Sequence, residues 1–453
     1  MTSESAAPTH GGPRWRRGRV LLATALLLGT ATGARHDEGC PAVPDSACAA
    51  SAATAKSSGT PAPDLDGHPD LALGVPASNG DVFQTGRIAL LHGARADDRT
   101  VFTPKDFGLP EHDAMTDGES PPVLADLDGD GRLDLVAGGS AHVQWGGTQG
   151  PESGHRASRI PLPDMGEGQP VRISKGNDVY QDAPVSGDFD GDGHTDLATY
   201  RTGMHERRLV VLNGSFTRGG TPARLTERTD PYTDDHDAVT GLRLLAADLT
   251  GDRVTDLLMY KPGEPSHLRL LAGGTDTSNG LAARPEALPR GENATVGDFD
   301  GDGRPDVALG NSGVPMDDEF APRDRKGKVT IRYGKAPDAP VVIGGGKRKG
   351  GFGIGLLAAD VNGDGCDDLV VRNDDDRVDI LRGGSSPGLG SRPWRGPQAG
   401  RLVTASDVDG NDRDELVLAS GHMWRVGDGS GKQLESFDVR KVRRPPAEQS
   451  PAP

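Results

Sequence analysis

The chain has 453 residues, of which 34% are hydrophobic and only 4% aromatic, and it contains 66 glycines and 35 prolines. This composition disfavours large helical cores and suits many short strands joined by turns. The formal net charge of −17 argues against nucleic acid as a partner, because nucleic-acid-binding domains carry basic surfaces.

The N-terminal segment has the organisation of an export signal. A basic stretch at 14–19 precedes nine apolar residues at 20–28 and a run of small residues at 29–34. Nine apolar residues are too few to cross a bilayer comfortably. We therefore predict a secretory signal peptide at 1–34 and a secreted, extracellular protein, with an uncleaved N-terminal anchor as the alternative. A disordered linker rich in Ala, Ser and Pro follows at 35–60, and a Pro-rich tail at 441–453 offers no anchor.

Three cysteines fit export to an oxidising compartment. Cys40 and Cys48 are close in sequence and could pair, which would leave Cys366 over. The alternative is that all three are free thiols. Their spacing is not that of a zinc site.

A nine-residue acidic element recurs along the chain, and its positions are called places one to nine here. It is complete as "DLDGDGRLD" at Asp126 and again at Asp188 and Asp298, and nearly complete at Asp360. The copies at Asp248 and Asp407 are altered, and a seventh at Asp64 is two residues short. Successive copies start 62, 62, 60, 50, 62 and 47 residues apart. This periodicity indicates a repeat architecture.

Each copy belongs to a longer unit of short β-like runs. A short apolar piece precedes the loop, as at 122–125, and another follows it at once, as at 135–138. A third run, such as 209–214, usually ends in glycine, and a poorer fourth run follows, as at 159–162. A four-stranded sheet cannot cover both its faces alone, whereas seven sheets stacked around an axis cover one another. The sequence predicts an all-β, seven-bladed β-propeller over 61–440. Blade one is the least regular, and a strand borrowed from the other terminus could close the ring.

The acidic loop suits calcium, which prefers about six to eight oxygen ligands. Carboxylates or carboxamides stand at places one, three, five and nine, glycines at four and six allow the turn, and place seven can offer its backbone carbonyl. The loop is not an EF-hand, which has twelve residues between two helices. An acidic turn without metal is the alternative. The candidate Ca²⁺ ligands are Asp126, Asp128, Asp130, Arg132, Asp134, Asp188, Asp190, Asp192, His194, Asp196, Asp298, Asp300, Asp302, Arg304, Asp306, Asp360, Asn362, Asp364, Cys366, Asp368, Asp407, Asp409, Asn411, Glu415, Asp248, Asp252 and Asp256.

These loops, Phe352-Gly353 ahead of the sixth loop, and the Gly-Val-Pro at 74–76 resemble the FG-GAP repeat family, also described as integrin α-type or VCBS-like. The resemblance covers about residues 61 to 440. It implies a seven-bladed propeller with Ca²⁺ held between the first and second strands of a blade. It carries ligand roles to the loops that start at Asp126, Asp188, Asp298 and Asp360. The copies at Asp248 and Asp407 depart from the family pattern, so their occupancy stays open.

Function is less constrained than fold. The chain has no His-Glu-x-x-His, no Gly-x-Ser-x-Gly and no phosphate-binding glycine loop. We therefore expect a non-catalytic, monomeric binding or adhesion module with structural calcium and an extracellular protein or carbohydrate partner. We expect no nucleic-acid partner and no stable membrane insertion after signal cleavage. An extracellular polysaccharide lyase or hydrolase built on the same propeller is the alternative, since carboxylate pairs are abundant. Charged inserts at 230–239 and 316–328 are candidate partner-binding loops.

Overall fold

A computed structural model describes residues 70–76, 84–92, 99–109, 116–117, 122–137, 142–147, 150–151, 156–163, 184–202, 207–229, 232, 242–263, 265–274, 279–313, 326–345, 351–373, 377–384, 390–393 and 400–441. The predicted signal peptide, linker and shortened loop at Asp64 lie outside these residues, as do Cys40, Cys48, most of the two charged inserts and the tail from 442 onward.

Seven four-stranded antiparallel sheets form the blades of a propeller, so the predicted fold class is confirmed. Blade one contains β1 (Asp70–Pro76), β2 (Gln84–His92), β3 (Arg99–Phe102) and β4 (Thr116–Asp117). Blade two contains β5 (Val123–Ala125), β6 (Asp134–Ala137), β7 (His142–Gln144) and β10 (Ser158–Arg159), with a small ribbon of β8 (Gly146–Gly147) and β9 (Gly150–Pro151). Blade three contains β11 (Val185–Gly187), β12 (Asp196–Thr202), β13 (Arg207–Asn213) and β14 (Arg224–Thr229).

The remaining four blades follow the same order of strands. Blade four contains β15 (Arg243–Ala247), β16 (Asp256–Tyr260), β17 (Ser266–Leu271) and β18 (Glu286–Gly291). Blade five contains β19 (Asn293–Gly297), β20 (Asp306–Asn311), β21 (Lys328–Tyr333) and β22 (Ala336–Gly344). Blade six contains β23 (Gly355–Ala359), β24 (Asp368–Arg372), β25 (Val378–Arg382) and β26 (Gly390–Pro393). Blade seven contains β27 (Arg401–Ser406), β28 (Glu415–Ser420), β29 (Met423–Gly427) and β30 (Gln433–Asp438).

Short 3₁₀ helices at Pro104–Phe107 and Val439–Lys441 are the helical segments among the described residues. None of the helices described is long and apolar enough to cross a membrane.

The hydrophobic core lies between the blades, in seven clusters that each join two neighbours. The second strands are apolar on both faces: every residue of β16 is buried, whereas the outer strand β14 is half-exposed or exposed throughout. A strand that packs on both sides needs a continuous apolar run, which explains the unbroken apolar stretch 257–260 of β16 after Asp256. Small and branched aliphatic side chains, mainly Ala, Val and Leu, fill most of the space between the blades, so few aromatic residues are needed.

The ring closes by packing between blades seven and one. Leu73 and Val75 of β1 share a core cluster with Trp424 and Val426 of β29. Blade seven draws its four strands from 401–438 and blade one draws its described strands from 70–117. Within the described residues no strand crosses between the two blades. Strand β1 directly follows the shortened loop and therefore holds the place that the second strand takes elsewhere.

Candidate metal sites

The six described acidic loops share one hydrogen-bonded frame, which is centred on the carboxylate at place one. In blade two, Asp126 Oδ1 accepts the backbone N–H groups of Gly129 at 2.8 Å and Asp130 at 3.1 Å, and Oδ2 accepts that of Gly131 at 2.9 Å. In the other five loops, corresponding N–H groups donate to the place-one carboxylate, namely that of Asp188, Asp248, Asp298, Asp360 and Asp407. The turn is thus built around a charged residue with several donors, the kind of hydrogen bond that is strongest.

The altered loops of blades four and seven keep this frame although they lack the glycine at place six. Arg253 and Asp412 occupy that place with φ values of 74° and 60°, in the left-handed region that glycine favours. Their N–H groups still bond to Asp248 and Asp407, at 2.8 and 2.9 Å. The loop geometry therefore does not depend on the glycine, although a side chain makes it more costly.

Place nine is the first residue of the second strand in all six blades, and its carboxylate is buried. In blade two, Asp134 is fully buried; its Oδ2 accepts the N–H of Leu127 at 2.9 Å and its Oδ1 that of Gly146 at 2.7 Å. Asp196, Asp256 and Asp306 repeat both contacts with their own loop and their own hairpin glycine. Place nine therefore ties the loop to the turn after the third strand.

This contact explains the glycine that ends the third β-like run of most units. A Cβ at Gly146, Gly273 or Gly383 would overlap the carbonyl oxygen of place eight in the same blade. A Cβ at Gly334 would stand 2.7 Å from the carbonyl oxygen of Pro305. The position needs glycine because two backbones approach closely there.

Burial is the main cause of raised carboxyl pKa values at place nine. It raises the pKa of Asp134, Asp196 and Asp256 to about 6 and that of Asp306 to about 8. It raises the pKa of Asp368 and Glu415 to about 7. Neighbouring carboxylates of the same loop add to the effect, whereas the backbone donors oppose it. A bound cation would favour the ionised form at each of these positions.

The predicted ligands converge in four loops. Carboxylate oxygens lie within 4.8 Å of one another in four sets, which could each hold a metal ion: Asp126, Asp128 and Asp134; Asp188, Asp190 and Asp196; Asp298, Asp300 and Asp302; Asp407, Asp409 and Glu415. The last set belongs to the altered loop of blade seven. Place five in blades two and three, Asp130 and Asp192, stands outside these sets, and its Oδ1 accepts the N–H of place seven. Place seven contributes that N–H in blades two to six, from Arg132, His194, Val254, Arg304 and Cys366.

Blades four and six differ, since their described carboxylates form no such set. In blade four, Thr250 replaces the third-place carboxylate and donates its N–H to Asp256 at 2.8 Å. In blade six, Asn362 turns its amide nitrogen to Asp368, 3.3 Å from each carboxylate oxygen. A cation there would require the amide to rotate, so that its oxygen faces Asp364 and Asp368.

One buried carboxylate oxygen without a hydrogen-bond partner, here called the orphaned atom, indicates that these loops suit a cation. Glu415 is 1% exposed, and its Oε2 accepts the N–H of Val408 at 3.1 Å, whereas its buried Oε1 has no hydrogen-bond partner. An unpartnered buried carboxylate oxygen is costly. A hard cation held by Asp407, Asp409 and Glu415 would satisfy it, and the all-oxygen donor set is the one that Ca²⁺ prefers.

Basic side chains enter three of the loops, which the sequence interpretation did not foresee. Arg218, from the hairpin of blade three, reaches back to blade two and binds Asp128 at 2.7 Å and Asp130 at 2.5 Å. Arg224 binds Asp190 at 2.7 Å, and Lys335 lies 3.4 Å from a carboxylate oxygen of Asp302. These cations offset part of the repulsion between the loop carboxylates. Arg218 lies about 90 residues from its partners along the chain, so no local pattern indicates it.

Cys366, at place seven of blade six, is fully buried and disulfide-bonded. The sequence left two alternatives open, a Cys40–Cys48 pair that leaves Cys366 over and three free thiols, and a bonded Cys366 fits neither. Both alternatives considered closeness in sequence, whereas disulfide pairing depends on closeness in space.

Comparisons with known proteins agree with the repeat pattern. The FG-GAP repeat family model matches residues 290–331 and 352–386, which cover much of blades five and six and their loops. No curated protein matches the chain. Among solved structures, BBS1N in complex with ARL6DN, from a mercury-soaked crystal, is 13% identical, with a TM-score of 0.38, covering 70% of this chain and 81% of that one. Apo AztD from Citrobacter koseri is 11% identical, with a TM-score of 0.36, covering 79% and 80%. With TM-scores this low, neither structure bears on function.

Proposed function

Since this chain is a seven-bladed β-propeller of FG-GAP repeats, we propose that it is a secreted interaction module that binds an extracellular protein or carbohydrate and uses Ca²⁺ structurally. The repeat fold supports a general binding role. The finer parts of the proposal, namely export, calcium and the class of partner, rest on the N-terminal sequence and on the acidic loops. The proposal assigns no catalytic step to any residue of the chain.

The orphaned Oε1 of Glu415 carries the calcium part of the proposal. Burial of this carboxylate beside Asp407 and Asp409 is unfavourable without a counter-charge. Carboxylates crowd in the same way in blades two, three and five, where basic side chains offset only part of the repulsion. Places one, three and nine would hold the ion in blades two, three and seven, and places one, three and five in blade five. Bound Ca²⁺ neutralises these carboxylates and so stabilises the start of each second strand, on which neighbouring blades pack.

Thermal unfolding of the purified chain tests this role directly. We expect excess EGTA to lower the melting temperature and added Ca²⁺ to restore it, because ligand binding to the native state stabilises it. Mg²⁺ should restore it less well, since it demands a tighter octahedral shell. Calorimetric titration should give at least four Ca²⁺ ions per chain, one for each converging set. An unchanged melting temperature in EGTA would refute a structural role for calcium.

A binding screen against glycans and extracellular proteins, with and without Ca²⁺, tests the interaction role. We expect at least one specific ligand, bound only by the calcium-loaded chain. Turnover of polysaccharides by the same preparation would instead support the alternative of a lyase or hydrolase. Export is tested by N-terminal sequencing of the protein recovered from the medium, which should begin near residue 35 if the predicted signal is removed.

A further inference from the structure

Neighbouring metal loops are joined by a reciprocal pair of hydrogen bonds between place one of one blade and place eight of the next. Between blades five and six, the N–H of Asp298 donates to Asp367 Oδ2 at 2.8 Å, and the N–H of Asp367 donates to the Asp298 carbonyl at 3.0 Å. Between blades six and seven, Asp360 and Asp414 repeat the arrangement at 2.9 and 2.8 Å. We call this pair of bonds the clasp.

Blades three and four have the same clasp with a hydroxyl in place of the carboxylate. The N–H of Asp188 donates to Thr255 Oγ1 at 3.1 Å, and the N–H of Thr255 donates to the Asp188 carbonyl at 2.8 Å. The clasp therefore needs a short side chain with an acceptor oxygen at place eight. Aspartate and threonine both supply one.

Two other boundaries between described loops lack the clasp. Place eight of blade five is Pro305, which has neither an N–H nor a side-chain acceptor for Asp248 of blade four. The loops nevertheless touch there, because Arg304 packs over Gly251, where a Cβ would stand 2.7 Å from its Cζ. In the described part of blades two and three, Thr195 makes no such bond with Asp126. The clasps link blades three and four as a pair and blades five, six and seven as a trio, and the loop of blade two belongs to neither.

We propose that Asp367 and Asp414 are positioning residues that couple the loops of blades five, six and seven, so that these loops bind Ca²⁺ cooperatively. This inference rests on the proposed calcium binding. The place-one residue is a ligand in its own loop. Its backbone is held by the place-eight residue of the next blade, which stands beside the place-nine ligand of that blade. A cation that orders loop six fixes Asp368 and therefore its neighbour Asp367, which orients Asp298 for the cation of loop five.

The Asp367 carboxylate also lies in the electrostatic field of all three loops. Asp298 of blade five, Asp360 of blade six and Asp414 of blade seven each act on it as neighbouring negative charges. The loops of blades six and seven touch as well, since a Cβ at Gly363 would stand 2.9 Å from Arg413 Cγ. Hydrogen bonds, charge and packing thus connect the loop of blade five to that of blade six, and the loop of blade six to that of blade seven.

Site-resolved Ca²⁺ titration of the full chain tests the coupling. Amides at place six report their own loops, because Gly303 donates to Asp298 at 2.9 Å and Gly365 to Asp360 at 2.8 Å. In ¹⁵N-glycine-labelled protein, the titration midpoint of Gly303 reports loop five. Removal of a loop-six ligand with Asp364→Ala should raise that midpoint about 5-fold or more. The control change Asp190→Ala, which removes a ligand from loop three outside the trio, should leave it unchanged.

A double-mutant cycle assigns the effect to the clasp. In an Asp367→Ala background, which lacks the acceptor, Asp364→Ala should no longer shift the Gly303 midpoint. In an Asp367→Asn background, which keeps an acceptor oxygen, the shift should persist. If Asp367→Ala does not fold, the half-buried Asp414 allows the same cycle, with Asp409→Ala disabling loop seven and Gly365 as the reporter.

A Gly303 midpoint that ignores Asp364→Ala, or that shifts equally with and without the acceptor at 367, overturns the coupling while calcium binding stands. If neither Gly303 nor Gly365 responds to Ca²⁺ in the unmodified chain, calcium binding by these loops fails and the coupling fails with it.

Discussion

The glycine that follows the third strand tolerates substitution poorly, because two backbones approach closely there. Gly383 donates its N–H to the buried Asp368 at 2.8 Å. A Cβ on Gly383 would overlap the carbonyl oxygen of Asp367 and stand 3.0 Å from that of Phe299. We expect Gly383→Ala to push the hairpin away from the loop of blade six and to break the hydrogen bond to place nine.

The size of the effect follows from three contributions. A buried carboxylate left without its donor costs about 1–3 kcal/mol. Forced displacement of packed backbone costs a similar amount, about 1–3 kcal/mol. Alanine returns about 0.4–1 kcal/mol by restricting the unfolded chain. We therefore expect Gly383→Ala to lower the free energy of unfolding by about 3 kcal/mol, within a range of about 1–6 kcal/mol.

Urea denaturation in saturating Ca²⁺ and in EGTA measures this effect. Gly344→Ala is the matched control, because it ends a strand of the neighbouring blade and a Cβ there would meet nothing within 4 Å. The control should unfold within about 0.5 kcal/mol of the unmodified chain, as surface substitutions usually do. Equal stability of the two alanine variants would refute the argument that place nine requires a close glycine.

Three further predictions follow from the loops. Arg253→Gly should raise the free energy of unfolding by about 0.5–1 kcal/mol, because it relieves a left-handed residue, and an unchanged urea midpoint would contradict this. Arg218→Gln should raise the Ca²⁺ affinity of loop two about 10-fold at low salt in calorimetric titration, with Arg332→Gln as control; a lower affinity would mean that Arg218 braces the ligands. In EGTA the melting temperature should fall as pH rises from 5 to 8, since Asp134 with a pKa of about 6 and Asp306 with a pKa of about 8 bind more protons folded than unfolded; saturating Ca²⁺ should remove this decline, and a rise in EGTA would contradict it.

Much of the fold could be predicted because each blade carries its own pattern within about 60 residues. The loop, the apolar run after it and the glycine-ending run after that each recur, and the structure places them as the first turn, second strand and third strand of a blade. The recurring glycine was visible in the sequence, yet its reason was not. Only the structure shows that it lies against the carbonyl of place eight.

The candidate sites were less predictable than the fold. The sequence ranked the loop at Asp360 above that at Asp407, whereas carboxylates converge in the latter and include the orphaned Glu415. The ranking counted ligand types at each place, but convergence also depends on side-chain length and on donors from the hairpin. Glu415 is one methylene longer than aspartate, and its Oε1 lacks the hairpin donor that Asp134 accepts. The adjacent acidic pairs Asp367-Asp368 and Asp414-Glu415 were a sequence signal that place eight also has a role, and the sequence interpretation did not use it.

The sequence alone specifies seven repeats, the place of each acidic loop along the chain and, through local spacing, the frame within the described loops. The contacts of that frame join residues no more than seven apart, such as Leu127 and Asp134, and local spacing is sufficient to specify them. How neighbouring loops meet depends instead on the stacking of the blades. The clasp between Asp298 and Asp367 and the ion pairs of Arg218 join residues 69 and about 90 positions apart. Such partners come together because seven sheets stack around one axis, and the stacking geometry depends on the whole core rather than on any nine-residue pattern.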